Sequence, residues 1–262
     1  MRDTFVELVQ ISDSHLFADR EAELLGINTD ASLAAVLQLL DGRPRPALLL
    51  ATGDNSQDGS VAAYRRFLEQ VQGRGERFVW LPGNHDLPDV MAALSPAGTL
   101  VKSLDLGAWR LLLLDSTLPA TVAGHLAEAE FDFIERSLCS APQRPTLLAV
   151  HHPPCALGCA WLDDQGIDNG ARLLALLADH PQVRLLLCGH IHQQQARQFG
   201  PLWLLSAPST CVQFRPDSDD FAIDSLAPGL RWLRLHDDGR FETGIERVAA
   251  GLFTADHSSS GY

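Results

Sequence analysis

Apolar runs of strand length recur along the chain at residues 6–11, 47–51, 78–81, 111–114, 146–150 and 183–188. Between several of them, apolar positions fall three and four apart, the spacing of one helix face. Leu33, Val36, Leu37 and Leu40 form such a face behind a cap expected at Asp30. Tyr64, Phe67, Leu68 and Val71 form another behind Ser60. Residues 128–138 and 171–178 carry the same period. Strand alternating with helix predicts βαβ units and a mainly parallel sheet. The last quarter differs: 202–206, 230–235 and 241–248 read as strands with no helix between them, and Asp237-Asp238-Gly239 reads as a hairpin turn. No Pro/Ser/Gly-rich linker or repeat sets this part off, so the expectation is one α/β domain over 1–254 with a β-rich end. Residues 255–262 are polar with three successive serines and are expected to be mobile.

Composition narrows the function classes. A chain of 262 residues buries roughly three quarters of its unfolded surface and needs no disulfide staples. A hydrophobic fraction of 46% and a charged fraction of 20% are ordinary for a folded protein. The net charge of -13 argues against a general nucleic-acid binder, which must neutralise phosphates with Lys and Arg. An anionic small substrate stays open, because a bound dication inverts the field of one cleft. The first residues do not form a basic region followed by an apolar core, so no secretory signal is expected. No apolar run approaches the ~20 residues of a membrane span. The cysteines, Cys139, Cys155, Cys159, Cys188 and Cys211, are odd in number and scattered. Reduced thiols in a cytoplasm, with no membrane partner, are the expectation.

Five polar clusters stand where the strand runs end. They are Asp13-Ser14-His15, Gly53-Asp54 with Asp58 close behind, Gly83-Asn84-His85-Asp86, His151-His152-Pro153 and Gly189-His190-Ile191-His192. Ligands of open parallel sheets bind just beyond the carboxyl ends of strands, so these clusters should converge on one cleft. In extended backbone, residues i and i+2 point the same way, which would let Asp13 and His15 share an ion and His190 and His192 face it together. Carboxylate, imidazole and amide oxygen suit Mn, Fe, Zn or Co, and the lack of thiolates disfavours a structural zinc. Each cluster alone is ordinary: an Asp-x-His is more often a turn, and Gly-Asn-His-Asp fits a type I turn. Five in series, each behind an apolar strand, single out a metal site.

Together, Asp13-x-His15, Gly53-Asp54, Gly83-Asn84-His85-Asp86, His151 and Gly189-His190-x-His192 resemble the signature of the calcineurin-like metallophosphoesterases, matched at every ligand position. The resemblance implies a four-layer αββα sandwich with two central mixed sheets flanked by helices. It also implies roles. Asp13, His15 and His192 would hold a first metal, Asn84, His151 and His190 a second, and Asp54 would bridge them. His85 would meet the substrate phosphate and Asp86 would orient it, as the catalytic pair. His15, Asp54, Asn84, His85, His151 and His192 would line the substrate. Two divalent or trivalent ions are implied, iron or manganese first, with zinc or cobalt as alternatives.

Narrower features are similar to the bacterial class III 3',5'-cyclic-AMP phosphodiesterases: residues 25–29, 79–86, 188–193, the run Pro208-Ser209-Thr210-Cys211-Val212-Gln213-Phe214 and the closing Ser260-Gly261-Tyr262. That resemblance runs almost end to end. It implies a cyclic nucleotide substrate, hydrolysed to 5'-AMP by a bridging hydroxide at the dinuclear site, which lowers cellular cyclic AMP. His85 would serve the departing 3' oxygen. A monomer or homodimer is expected. The alternatives are a broader phosphodiesterase or phosphomonoesterase, and a non-catalytic protein scaffold; the scaffold has no need of His85. The stretch 155–169, with Trp161, Asp163, Asp164 and Asn169, and the stretch 209–214 are candidate rims for the nucleoside, although packing of Trp161 on the body is preferred to stacking on a purine. Asp58 is expected to organise its loop. His152 is either a neighbour of the site or merely local, and His125, His180, His236 and His257 are expected at the surface.

Overall fold

The computed structural model describes residues 4–259 and 261, so Ser260 and Tyr262 of the closing triplet lie outside the described residues. The chain begins with β1 (Phe5–Ile11), β2 (Glu23–Leu24), β3 (Ile27–Asn28), α1 (Thr29–Gln38), β4 (Leu48–Thr52), α2 (Val61–Val71) and β5 (Arg77–Leu81). It continues through α3 (Pro88–Leu94), β6 (Ser103–Leu106), β7 (Trp109–Leu113), α4 (Glu128–Cys139) and β8 (Thr146–Ala149). The last elements are α5 (Ala160–Asp163), α6 (Gly170–Ala178), β9 (Val183–Cys188), β10 (Gln195–Phe199), β11 (Leu202–Ser206), β12 (Gly229–His236) and β13 (Phe241–Arg247).

These strands form two mixed sheets, in the orders β13-β12-β1-β4-β5 and β10-β11-β9-β8-β7-β6, beside a small β2-β3 ribbon. β1, β4 and β5 are parallel, with β12 and β13 added antiparallel at one side. In the second sheet β7, β8, β9 and β11 are parallel, and β6 and β10 close the edges antiparallel.

Side-chain alternation along the strands builds the layers. In β4, Leu48 and Leu50 point into a core shared with Leu147, Leu185 and Leu187 of the other sheet. Leu49 and Ala51 point the opposite way, against Leu33, Val36 and Phe67 of α1 and α2. In β9, Leu186 faces Ile134 and Leu138 of α4 and Leu173 of α6. The order helix, sheet, sheet, helix is the four-layer sandwich that the resemblance implies. No helix among the described residues is long and apolar enough to cross a membrane.

Several local expectations change. The cap of α1 is Asn28, whose side chain accepts the Ala31 N–H at 2.8 Å. Asp30 already lies in the first turn, where it pairs with Arg66 at 2.8 Å. Ser60 does cap α2, accepting the Ala63 N–H at 3.1 Å. The edge strands β6 and β10 carry no apolar run, Asp105 in one and Gln-Ala-Arg-Gln in the other, because each is half solvated. His236, expected at the surface, is buried at the end of β12 against Phe5. In the closing stretch, the Asp256 N–H donates to the Leu25 carbonyl at 2.7 Å, which sets its first residues against the β2–β3 turn. All five cysteines are free thiols.

Candidate metal centre

The loops that leave β1, β4, β5, β8 and β9 meet at the carboxyl edge of the sandwich. Backbone bonds join the first two: Asp13 N–H to Gly53 O at 3.0 Å, His15 N–H to Asp54 O at 2.9 Å and Leu16 N–H to Asn55 O at 3.2 Å. The approach is close enough to demand glycine. A Cβ on Gly53 would stand 2.4 Å from His151 Nδ1, and one on Gly83 would stand 2.2 Å from an Asp54 carboxylate oxygen.

Asp13, His15, Asp54, His190 and His192 all have φ between 48° and 70°. The expectation of extended backbone at 13–15 and 190–192 is therefore corrected: each pair is aimed by left-handed residues in the loop beyond the strand. Such backbone costs non-glycine residues on the order of 1–3 kcal/mol each and persists where surrounding contacts over-determine it. Here the His190 N–H donates to both Asp13 oxygens, at 3.0 and 3.2 Å.

The result is two groups of acceptors facing inward. His15 Nδ1 donates to Gln57 Oε1 at 2.6 Å and His192 Nδ1 donates to Val212 O at 2.9 Å, which leaves each Nε2 with its lone pair. Those two Nε2 atoms lie 3.1 Å apart, with Asp13 Oδ1 at 3.6 Å from that of His192. In the second group, His151 Nδ1 donates to Thr52 O, and its Nε2 is 3.1 Å from Asn84 Oδ1. His190 Nδ1 is 3.0 Å from the same oxygen. Asp54 Oδ2 stands between the groups, 3.2 Å from His151 Nε2 and 3.8 Å from His15 Nε2. Lone pairs so aimed repel unless a cation sits among them. Separations near 3 Å are what bonds of about 2.1 Å to a shared ion require. The donor set therefore fits two metal ions.

A family model described as calcineurin-like phosphoesterase matches residues 7–194. The chain belongs to the calcineurin-like phosphoesterases. It is 48% identical to the 3',5'-cyclic adenosine monophosphate phosphodiesterase CpdA of Pseudomonas aeruginosa, over 99% of this chain and 96% of that protein. It is 44% identical to the CpdA of Escherichia coli (strain K12), over 98% and 95%. Two solved structures share the fold at low identity. A dimetal phosphatase from Danio rerio has a TM-score of 0.62 at 14% identity, covering 93% of this chain and 99% of that one. The yellow lupin purple acid phosphatase PPD1 has a TM-score of 0.68 at 15% identity, covering 97% of this chain and 53% of that one.

Electrostatics in this phosphoesterase follow from burial. Burial lowers His15 to about 4 and pushes His190 and His192 well below the usual imidazole range, so all three are neutral imidazoles at pH 7. Burial also raises Asp13 to about 7. At Asp54 burial opposes the charge, but the imidazoles of His151, His15 and His85 hold the carboxyl well below its usual range. At His151 burial is outweighed by Asp54, and the ring keeps its proton to about 9. A proton held between His151 and Asp54 is a small version of the cation this cluster suits.

The remaining residues divide by what they touch. His85 is half-buried at the mouth, its N–H on Asp54 Oδ1 at 2.9 Å and its ring edge-on to His15 at 5.0 Å. Asp86 accepts the N–H groups of Gly83, Asn55 and Ser56 at 2.9–3.1 Å and thereby ties the β4 and β5 loops together. Asp58 accepts from Ala18 N at 2.7 Å and Ser60 N at 3.0 Å, so it organises its loop. His152 is buried beside His151 and His190, bonded to Ser116 Oγ at 2.8 Å and Val122 O at 2.9 Å. Trp161 packs edge-on against Phe214 and Phe221, and Phe214 lies on His192. Sequence reasoning did not find Gln57, Thr52 and Val212, which fix the ligand tautomers. Two of them act through backbone carbonyls, which every residue has.

Proposed function

We propose that this enzyme hydrolyses the 3',5'-cyclic phosphodiester of cyclic AMP to 5'-AMP at a dinuclear metal site. The observation that carries the reaction class is the pair of inward-facing acceptor groups joined through Asp54. The substrate rests on likeness over nearly the whole chain to phosphodiesterases named for cyclic AMP.

Asp13, His15 and His192 would hold one ion and Asn84, His151 and His190 the other, with Asp54 shared; iron or manganese, or else zinc or cobalt, suits these donors. Bound ions supply Lewis acidity toward the phosphoryl oxygens and activation of water. The protein's own groups do the rest. The carbonyls of Thr52 and Val212 and the amide of Gln57 fix which ring nitrogen of each histidine faces the phosphate pocket. His85 is reachable from solvent yet anchored through its N–H to Asp54, and it delivers a proton to the departing 3' oxygen. Asp86 acts one step back: its bonds to three backbone N–H groups place the loop that carries Asn84 and His85.

The test is a substrate panel on metal-loaded protein: cyclic AMP, cyclic GMP, 2',3'-cyclic AMP, 5'-AMP and bis(p-nitrophenyl) phosphate. Conversion of cyclic AMP to 5'-AMP is expected. Cleavage of the aryl diester with cyclic AMP left intact would reduce the reading to a phosphoesterase of another substrate.

A further inference from the structure

Two flanks border the phosphate pocket, and their packing differs. On the flank after β9, Trp161, Phe214 and Phe221 are in mutual ring contact at 5.0–5.6 Å. Asp163 accepts the N–H groups of Leu157 and Gly158, at 2.6 and 3.1 Å. Asn169 bonds both backbone groups of Leu126, at 3.1 and 2.8 Å. Asp163 and Asn169 thus use these bonds on their own loops and the Trp161 ring is packed among phenylalanines, although its Nε1 has no hydrogen-bond partner among the described residues.

The opposite flank holds a cavity of about 410 Å³ between the open edges of the two sheets. Trp80 and Pro82, at the end of β5, Met91 of α3, and Leu113 and Leu114, at the end of β7, line it together with Lys102, Asp115 and Glu130. Its volume falls in the range of small-molecule sites, about 300–1,000 Å³. Its position relative to the metal ligands follows from the chain. Pro82 is separated from Asn84 by Gly83 alone, so their Cα atoms are at most about 7.6 Å apart. β7, which ends at Leu113, is the neighbour of β8, whose end carries His151, and adjacent strands lie about 4.8 Å apart. The cavity thus lies one strand to the side of the phosphate pocket, about the reach of a ribose.

The polar lining also has a pattern. Lys102 Nζ donates to both oxygens of Glu130, at 2.5 and 2.6 Å, and the Asp115 N–H points to one of them at 3.4 Å. A cationic donor beside an anionic acceptor matches the N7 and N6 edge of adenine, which offers an acceptor and a donor. It opposes guanine, whose same edge offers two acceptors. We propose that this cavity holds the adenine of the substrate, with its faces between Met91 and Leu113 and its N7/N6 edge toward Lys102 and Glu130. The proposal rests on the cyclic-AMP reading for its ligand, and it places base recognition on the β5–β7 flank, away from the 155–169 loop.

The experiment uses the full metal-loaded chain with cyclic AMP, cyclic GMP and bis(p-nitrophenyl) phosphate as substrates, and adenosine as a phosphate-free inhibitor of aryl-ester hydrolysis. Met91→Trp fills the cavity. It should lower kcat/KM on cyclic AMP about tenfold or more beyond its effect on the aryl ester, and weaken adenosine inhibition in parallel. Glu130→Gln is isosteric and replaces acceptor-only oxygens with an amide that can also donate. It should narrow the preference for cyclic AMP over cyclic GMP about tenfold while the protein's melting temperature stays near that of the parent. Equal losses on all substrates in Met91→Trp, with adenosine inhibition and the nucleotide preference untouched in both variants, would overturn the proposal. If the parent protein leaves cyclic AMP intact, the cyclic-AMP reading fails by itself. Adenosine inhibition that Met91→Trp weakens would still place adenine in the cavity.

Discussion

The ring of Phe214 lies flat on that of His192, with centroids 4.3 Å apart and planes 12° from parallel. A second constraint on that imidazole is its bond to the Val212 carbonyl at 2.9 Å. One short segment, 212–214, therefore fixes both the tilt and the tautomer of His192, a residue proposed to hold the first metal, while Trp161 and Phe221 pack against Phe214. Groups that orient ligands in this way typically change metal affinity 10–100-fold when altered. Phe214→Leu is expected to release metal to a chelator about tenfold faster or more, and Phe214→Tyr to restore retention. Unchanged release in Phe214→Leu would show that the stack is packing without influence on His192.

Asp54 and Asp58 are four residues apart, but only one faces the cluster. Asp54→Ala is expected to abolish metal retention and turnover together, because its carboxylate stands between His15, at 3.8 Å, and His151, at 3.2 Å. Asp58→Ala removes acceptors for Ala18 and Ser60 N–H at an exposed position. Its cost is expected as about 1 kcal/mol of stability with metal content preserved. Elemental analysis alongside thermal melts separates the two. A single ion per fully loaded chain would sink the two-metal reading.

Much of the sandwich was legible because its central strands are buried on both faces: β4, β8 and most of β9 are continuous apolar runs. The edges were not, since β10 reads Gln-Ala-Arg-Gln-Phe, with no apolar run, and pairs with β11 through its backbone. That Asp13, His15, Asp54, His151, His190 and His192 cluster was legible as residue types behind strands. Their aim was not, because five of them adopt left-handed backbone that side-chain-bearing residues rarely take. His236 was misread for a related reason: it is buried by Phe5, more than two hundred residues away in sequence. Asp86 stood in the sequence beside His85, but its bonds run to the backbone of residues 55, 56 and 83, a contact that only the crossing of two loops creates.

His85 is half-exposed where His15, His151, His190 and His192 are buried, and its backbone N–H donates to Asp54 Oδ1 at 2.9 Å. His85→Ala is expected to keep metal content near normal and slow cyclic AMP turnover by about 10²–10⁴-fold, the usual worth of a general acid. The loss should shrink on an aryl diester, whose leaving group departs without a proton. Loss of metal in this variant would instead make His85 a ligand, an arrangement that its closeness to His15 and Asp54 leaves geometrically open.

Metal loading should itself depend on pH, with a sign fixed by two groups. A ligand must shed its proton before it binds, so binding releases protons, and affinity rises with pH wherever a proton is displaced. In chelator-stripped protein, Asp13 holds a proton up to about 7 through burial, and His151 holds one up to about 9 through its pairing with Asp54. His15, lowered to about 4, has none to lose above pH 5, and His190 and His192, pushed well below the usual range, contribute none near neutrality. On saturation with Mn²⁺, Asp13 and His151 together are thus expected to give up about two protons per chain at pH 6 and about one at pH 8, and ionisation of metal-bound water adds its own proton as pH rises. Apparent affinity should therefore climb with pH from 6 to 9. Proton release into weakly buffered solution at pH 6, below that ionisation, measures the share of the two side chains. Release of about one proton or fewer at pH 6, or affinity that falls as pH rises over this range, would mean that Asp13 and His151 do not both carry protons in the metal-free site.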